Sequence, residues 1–211
     1  VTVRVFIADD HPVVRQGLKQ MLGAEADLMV VGEASSGLEA IELCGRVAWD
    51  VAVVDYNMPG KSGVDLVKEL HHRNPHCSVL VLSIYPEEQY AVRVLKAGAA
   101  GYLTKESAPE ELVNAIRKAA NGGRFVSAAL GERLALELAG GGEQPLHRKL
   151  SDREYQIMWL IASGKTVGEI AEQLFLSANT ISTYRARILQ KLDLRNNAEL
   201  MRYAIRHQLV E

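Results

Sequence analysis

Along the first 120 residues the apolar positions change period repeatedly: short unbroken runs alternate with stretches in which they recur at i, i+3 and i+4. The runs Val3–Ala8, Leu28–Gly32, Val51–Val54, Val79–Leu82 and Gly101–Leu103 predict five strands. Pro12–Leu22, Leu38–Cys44, Gly63–His72, Glu87–Ala97 and Pro109–Asn121 predict the helices that follow them. In the last of these, Leu112, Val113, Ile116 and Ala120 make one stripe, which helical spacing turns towards a sheet. Val51-Ala52-Val53-Val54 and Val79-Leu80-Val81-Leu82 are apolar without alternation, the pattern of strands covered by helices on both faces. The expected fold is an α/β doubly wound, flavodoxin-like domain with five parallel strands.

After Gly122-Gly123 the pattern changes. A short amphipathic stretch, Ala128–Leu138, precedes Ala139-Gly140-Gly141-Gly142-Glu143-Gln144-Pro145, whose composition is that of a flexible linker and places a boundary near residue 143. Beyond it no strand pattern survives, and Asp152–Ser163, Val167–Leu174, Ala178–Lys191 and Asn197–His207 predict an all-α domain. Ser151 and Glu154 have the spacing of a capping box, and Thr166 and Ser177 suit the next two helix starts. The expected division is residues 1–123, a connection over 124–147, and residues 148–211.

Charge follows the same division. Residues 146–211 carry ten Lys/Arg against seven Asp/Glu, whereas the rest of the chain has a net charge of −5, so the two parts suit different partners. A hydrophobic fraction of 48% with 24% charged residues excludes a disordered chain. No apolar run approaches the ~18 residues of a membrane span, and Val1-Thr2-Val3-Arg4-Val5-Phe6 reads as a strand instead of a signal peptide, so a cytoplasmic location is expected. Cys44 and Cys77 lack the spacing of a zinc site or a disulfide framework and are expected as free thiols.

In an open parallel sheet the chemistry gathers at the carboxyl ends of the strands. Asp9 and Asp10 directly follow the first strand run and Asp55 the third, its neighbour in a 2-1-3-4-5 winding. Three carboxylates so close repel unless a divalent cation lies among them, and hard oxygen ligands suit Mg2+. The plainer alternative is that Asp9 and Asp10 only cap the helix beginning at Pro12. Ser83 offers a hydroxyl after the fourth run and Lys105 a cation after the fifth, so an anionic group on Asp55 would meet metal, hydroxyl and ammonium together, as a phosphoryl group requires.

These residues carry a resemblance. Ile7-Ala8-Asp9-Asp10-His11, Val53-Val54-Asp55-Tyr56-Asn57-Met58-Pro59-Gly60 with Gly63, the Ser83 strand end, and Ala97-Gly98-Ala99-Ala100-Gly101-Tyr102-Leu103-Thr104-Lys105 resemble the receiver domain of two-component response regulators over residues 3–121. The resemblance implies that Asp55 accepts a phosphoryl group from a sensor histidine kinase and that Asp10 binds Mg2+, with Asp9 acting partly through water. It also implies that the Asn57 carbonyl joins the metal, that Lys105 contacts the phosphoryl group, and that Ser83 and Tyr102 form the switch pair. Glu106 stands where many receivers have proline, so no cis peptide is expected there.

In the second part, Ile170, Ala171 and Leu174, a tight turn at Phe175-Leu176-Ser177 and a helix opening at Ala178-Asn179-Thr180 form a helix-turn-helix pattern. Ile181, Ile188, Leu189 and Leu192 face its core. Residues 178–206 hold six Lys/Arg against two Asp/Glu, which favours a polyanion over an ordinary solvated face. Leu150-Ser151-Asp152-Arg153-Glu154, Gly164-Lys165-Thr166, Glu169-Ile170-Ala171, Leu176-Ser177, Thr180-Ile181 and Ile188-Leu189-Gln190-Lys191-Leu192 resemble the LuxR-type DNA-binding domain. The whole chain thus looks like a NarL/FixJ-class response regulator, near its BvgA-like branch. By that resemblance Ser182, Thr183 and Ala186 lie where bases are read, and Lys165, Thr180, Tyr184, Arg185, Arg187 and Lys191 lie near phosphates. Gly168 and Asn196 replace residues that are polar or basic in the family, and Asn197–His207 looks like the helix that pairs two DNA-binding units.

The implied partners are a sensor histidine kinase, double-stranded DNA, RNA polymerase and a second copy of the chain, with no membrane, and the only enzymatic chemistry expected is the receiver's own phosphotransfer and dephosphorylation. Two other readings compete. A magnesium-dependent phosphohydrolase with Asp55 as nucleophile would need an acid/base aspartate two residues on, where Asn57 stands. A receiver regulated without phosphate sits poorly with an intact set of Asp9, Asp10, Asp55, Ser83, Tyr102 and Lys105.

Overall fold

The computed structural model describes residues 2–59, 61, 63–139 and 145–210, which divide into two compact units at Ala139/Gly140. Gly60 and the glycine run expected as a flexible linker lie outside the described residues. The first unit runs β1 (Val3–Ala8), α1 (Pro12–Gly23), β2 (Leu28–Ala34), α2 (Gly37–Cys44), β3 (Val51–Asp55), α3 (Gly63–Arg73), β4 (Ser78–Ser83), α4 (Glu87–Lys96), β5 (Gly101–Thr104), α5 (Pro109–Ala120) and α6 (Ala128–Ala139). The five strands are parallel in the order β2-β1-β3-β4-β5, the doubly wound arrangement the apolar runs predict.

β3 is buried along its whole length because helices cover both faces of the sheet's middle, which is why its sequence does not alternate. One core layer gathers Val5, Ile7, Val53 and Leu80 from the strands with Leu112, Val113, Ala115, Ile116 and Ala119 from α5. Ala120, expected in that stripe, is only half-buried; Ala115 and Ala119 take its place one turn apart. Cys44 is buried and Cys77 half-buried, both free, and burial pushes the Cys44 thiol up to about 12, so it behaves as a small hydrophobe.

Residues 124–127 return to the sheet edge instead of leaving it. Phe125 pairs beside Gly101, with Phe125 N donating to Ala100 O at 2.7 Å. Gly101 admits this approach, since a Cβ there would stand 2.8 Å from Phe125 O and 2.9 Å from Leu80 Cδ2.

The second unit holds a 3-10 turn at Leu146–Lys149 and then α7 (Asp152–Ala162), α8 (Val167–Gln173), α9 (Ala178–Lys191) and α10 (Asn197–Arg206). Each start is capped by its own side chain. Ser151 with Glu154 and Thr166 with Glu169 form reciprocal capping boxes, while Ser177 accepts from Thr180 N and Asn196 from Glu199 N. Asn196, a departure from the family pattern, thus serves as a cap. Phe175 turns the chain between α8 and α9 with φ +55°, and Ile157, Met158, Ile170, Ile181, Ile188, Leu200 and Ala204 form the core. Among the described residues no helix is long and apolar enough to cross a membrane, and no peptide bond is cis.

Gly101→Ala is expected to cost roughly 1–3 kcal/mol, because Phe125 backbone and Leu80 must both give way. A lowered midpoint for the first unit in urea would show it, and an unchanged midpoint would mean that residues 124–127 do not hold this edge.

Candidate functional site

Register brings the candidate residues to one edge of the sheet. Ala8 pairs with Val54, Asp55 with Leu82 and Ser83 with Thr104, so Asp9, Asp55, Ser83 and Lys105 emerge side by side at the strand ends. Asp9 is 1% and Asp55 4% exposed. Lys105 Nζ donates to Asp9 Oδ2 at 2.7 Å and lies 3.1 Å from Asp55 Oδ2, bridging the two. Burial, reinforced by the neighbouring Asp9 charge, pushes the Asp55 carboxyl up to about 6 against the pull of Lys105 and the Asn57 amide. Burial likewise works against the Lys105 ammonium, but Asp55 and Asp9 outweigh it and hold the group above its ordinary value.

Asp10 completes the cluster. Its Oδ1 is buried and accepts no hydrogen bond, although His11 Nδ1 comes within 2.8 Å without the alignment of one. Ligand atoms of Asp9, Asp10, His11 and Asp55 all lie within 4.8 Å of one another. A buried carboxylate oxygen with no donor, beside two further carboxylates, fits a hard divalent cation. Asn57, whose carbonyl the sequence assigns to the metal, is tied to the cluster by its amide, 3.4 Å from Asp55 Oδ1. His11 goes unassigned in the sequence reading, since the motif that contains it offers no signal that its ring folds back on the acids.

Ser83 and Tyr102 are both 1% exposed, and both bond to Tyr85, one through its amide and one through its carbonyl. Tyr85 N donates to Ser83 Oγ at 3.0 Å, and Tyr102 OH donates to Tyr85 O at 2.9 Å. The Tyr85 ring stacks on Tyr90 of α4 at 4.9 Å and meets Tyr56, the residue after Asp55, edge-on at 5.7 Å. This tyrosine cluster escapes sequence reading because its members come from three separate segments, and only the placing of Tyr85 two residues after Ser83 hints at it.

In the second unit α9 packs on α7 and α8 through Ile181, Ile188 and Leu189. Ser182, Thr183, Ala186 and Arg187 are exposed along its outer side, as is Lys165 before α8, while Thr180, Tyr184 and Arg185 are half-buried. Thr183 Oγ1 donates to Asn179 O at 3.0 Å, leaving its lone pairs and methyl outward. Among the described residues Arg185 and Arg187 have no ionic partner. Lys191 differs: its Nζ donates to Glu154 Oε2 at 2.7 Å, the carboxylate oxygen that also accepts from Ser151 N in the α7 capping box. Burial would raise the Glu154 carboxyl, but Lys191 and Ser151 together hold it below its ordinary value. Lys191 is therefore tied to α7 while its side chain stays partly exposed.

With this geometry in view, residues 5–117 match the response regulator receiver domain and residues 148–204 match the bacterial regulatory proteins of the luxR family. Response regulator UvrY of Escherichia coli is 37% identical over 208 residues, covering 98% of this chain and 95% of that protein. Response regulator GacA of Pseudomonas aeruginosa is 36% identical over 214 residues, covering 99% and 98%. Among solved structures, RcsB from Salmonella enterica serovar Typhimurium bound to promoter rprA in the presence of the phosphomimetic BeF3− is similar at a TM-score of 0.65 with 29% identity, covering 96% of this chain and 98% of that one.

The Asp55 shift has a stability consequence. Below about pH 4 the carboxyl is neutral in folded and unfolded chains alike. Between there and about 6 the folded protein keeps a proton that the unfolded chain has lost, so stability falls as pH rises through this window and stays lower above it. Asp55→Asn is therefore expected to gain stability over the native chain at about pH 7.5, by up to about 3 kcal/mol, and to lose that gain near pH 4. Urea melts in chelator across this range check it. A gain independent of pH would place the strain elsewhere.

Proposed function

This chain belongs to the two-component response regulators, and we propose that a phosphoryl group taken up at Asp55 controls duplex DNA binding by its carboxyl-terminal helices. The observation that carries the reading is the cluster itself, a buried carboxylate held between Lys105 and two further acids. With a midpoint of about 6, Asp55 is mostly ionised at neutral pH and therefore nucleophilic. A carboxylate oxygen of Asp55 attacks phosphorus; a P–O bond forms while the bond from phosphorus to the donor nitrogen of a kinase histidine, or to the carboxylate of a small acyl phosphate, breaks and takes its electron pair away. Water reverses the modification by attack on the same phosphorus, releasing phosphate and the free carboxylate.

Asp9, Asp10 and Asp55, with the Asn57 carbonyl, would hold Mg2+. When bound, the ion supplies positive charge against the phosphoryl oxygens. Lys105 adds a second positive charge beside Asp55, and Ser83 a hydroxyl donor. Beyond its own phosphorylation and dephosphorylation we assign the chain no catalysis. A sensor kinase as donor and duplex DNA as target both place its work in the cytoplasm.

In the second unit α9 is the element for the major groove. Ser182, Thr183 and Ala186 are small and exposed, so they suit base edges, whereas Arg185, Arg187, Lys165, Thr180 and Tyr184 suit phosphates and sugars. Phosphorylation is proposed to act through association of two copies on paired half-sites about one helical turn apart.

Three outcomes are expected. A small acyl phosphate with Mg2+ adds one phosphoryl group to the intact mass, and the addition is lost in chelator and in Asp55→Asn; modification that persists in either removes Asp55 from the role. On duplexes, Arg185→Ala is expected to weaken cognate and scrambled DNA alike and to lower the salt slope by about one unit, while Thr183→Val costs roughly 1–3 kcal/mol on the cognate sequence alone. Lys191→Ala is expected to act first on stability, read as a lower melting temperature of the second unit. A normal melt with a salt slope reduced as in Arg185→Ala would return Lys191 to the phosphate contacts.

A further inference from the structure

The first unit ends on a helix fastened to the element beside the switch pair. Arg124 Nη1 reaches Leu95 O at 3.5 Å, Phe125 N bonds Ala100 O, and Leu130, 3% exposed, is buried in the first turn of α6, which packs on α4. A side-chain bond joins the start of α6 to the start of α4: Ser127 Oγ donates to Glu87 Oε2 at 2.7 Å. The same serine oxygen accepts from Leu130 N at 3.1 Å, so it closes the first turn of α6 while it holds α4. Glu87 is the first residue of α4 and stands two residues after Tyr85. Tyr85 is the residue that Ser83 holds by its amide and Tyr102 by its carbonyl.

A bonded path therefore runs from Ser83 through Tyr85 and Glu87 to Ser127 and α6. Turning the Ser83 hydroxyl toward a phosphoryl group removes the acceptor from Tyr85 N, in a site too buried for water to replace it. The loop Ile84–Pro86 then has reason to move, and Glu87 moves with it. We propose that the Glu87–Ser127 hydrogen bond couples the phosphoryl site to α6, and that phosphorylation releases α6 from α4. Glu87 is a positioning residue in this scheme: it touches neither phosphorus nor metal. The inference rests on Asp55 as the phosphoryl acceptor. It goes beyond that reading in naming the contact that carries the signal to the end of the unit from which the glycine run leads to the DNA-binding helices.

The test uses the full chain with acetyl phosphate and Mg2+, following intact mass, hydrogen exchange of the Leu130 and Gly131 amides, and affinity for duplex DNA in the same samples. In the native chain phosphorylation is expected to speed exchange of these amides about fivefold, the worth of one hydrogen bond. Glu87→Ala, which leaves the Ser127 cap in place, is expected to show the faster exchange before any phosphoryl group is added, and its DNA affinity to change by less than about twofold on phosphorylation. Glu87→Gln keeps an acceptor and is expected to restore the native response. Equal phosphorylation of all three chains, with α6 exchange unmoved in the native protein or with a full DNA response in Glu87→Ala, would overturn the coupling. Failure of the native chain to take up phosphate at all would overturn the reading beneath it as well.

Discussion

The ammonium of Lys105 is the interaction on which the acidic cluster at the strand ends depends. Asp9 and Asp55 are both nearly without solvent, and two carboxylates in such a place each carry a desolvation cost of several kcal/mol that only a partner can offset. Lys105 serves both, at 2.7 and 3.1 Å, from the end of the strand furthest from Asp9 in that half of the sheet. Balance is incomplete, as the Asp55 carboxyl at about 6 shows. One cation among three carboxylates leaves surplus negative charge at the mouth of the sheet, and a divalent cation would have to offset that surplus before an anionic phosphoryl group could approach. The fold contributes register: strands of four to six residues around Asp55 end together and so deliver charges of both signs to one place.

From that site outward the structure funnels into Tyr85. Its amide and carbonyl hold Ser83 and Tyr102, and its ring packs with Tyr56 next to Asp55 and Tyr90 within α4. A local change at Ser83 cannot stay local when the residue it releases is the packing centre of three buried rings. The same economy marks the second unit, where Glu154 at once closes the capping box of α7 and holds Lys191 of α9.

Much of this was legible in the sequence, and what was missed has physical reasons. Apolar runs locate all five strands, and those of β3 and β4 are unbroken because these strands are buried on both faces. The apolar run ends the second strand at Gly32, yet the strand continues to Ala34: a Cβ at this glycine would stand 2.9 Å from the Phe6 ring, so the glycine makes room for packing inside the strand instead of terminating it. The 3-10 turn Leu146–Lys149 is too short to show a period. The segment 124–139, read as part of a connection, packs in the first unit, because backbone pairing of Phe125 leaves no mark on the side-chain pattern. Asp9, Asp10, Asp55, Ser83 and Lys105 are legible as a set through their strand-end positions, and Tyr102 only through the receiver resemblance. His11, Tyr85 and the Lys191–Glu154 pair were not, since each depends on a contact between segments that local spacing does not encode.

The energies involved also say where a phosphoryl signal can act. A ligand shifts an equilibrium only by the difference in its interaction with the two states, and one hydroxyl moved onto a phosphoryl oxygen supplies on the order of 1–3 kcal/mol. α9 is fixed by three buried aliphatic side chains, a Ser177 cap and the Lys191–Glu154 bond. Burial of those side chains alone is worth roughly 1.5–3 kcal/mol each, so remodelling the helix would ask more than the signal carries. α6 is fastened to α4 through contacts that include the Ser127–Glu87 hydrogen bond and the packing around Leu130. On the proposed reading, the economical use of a phosphoryl group is therefore to reposition or pair the DNA-binding unit instead of remodelling α9.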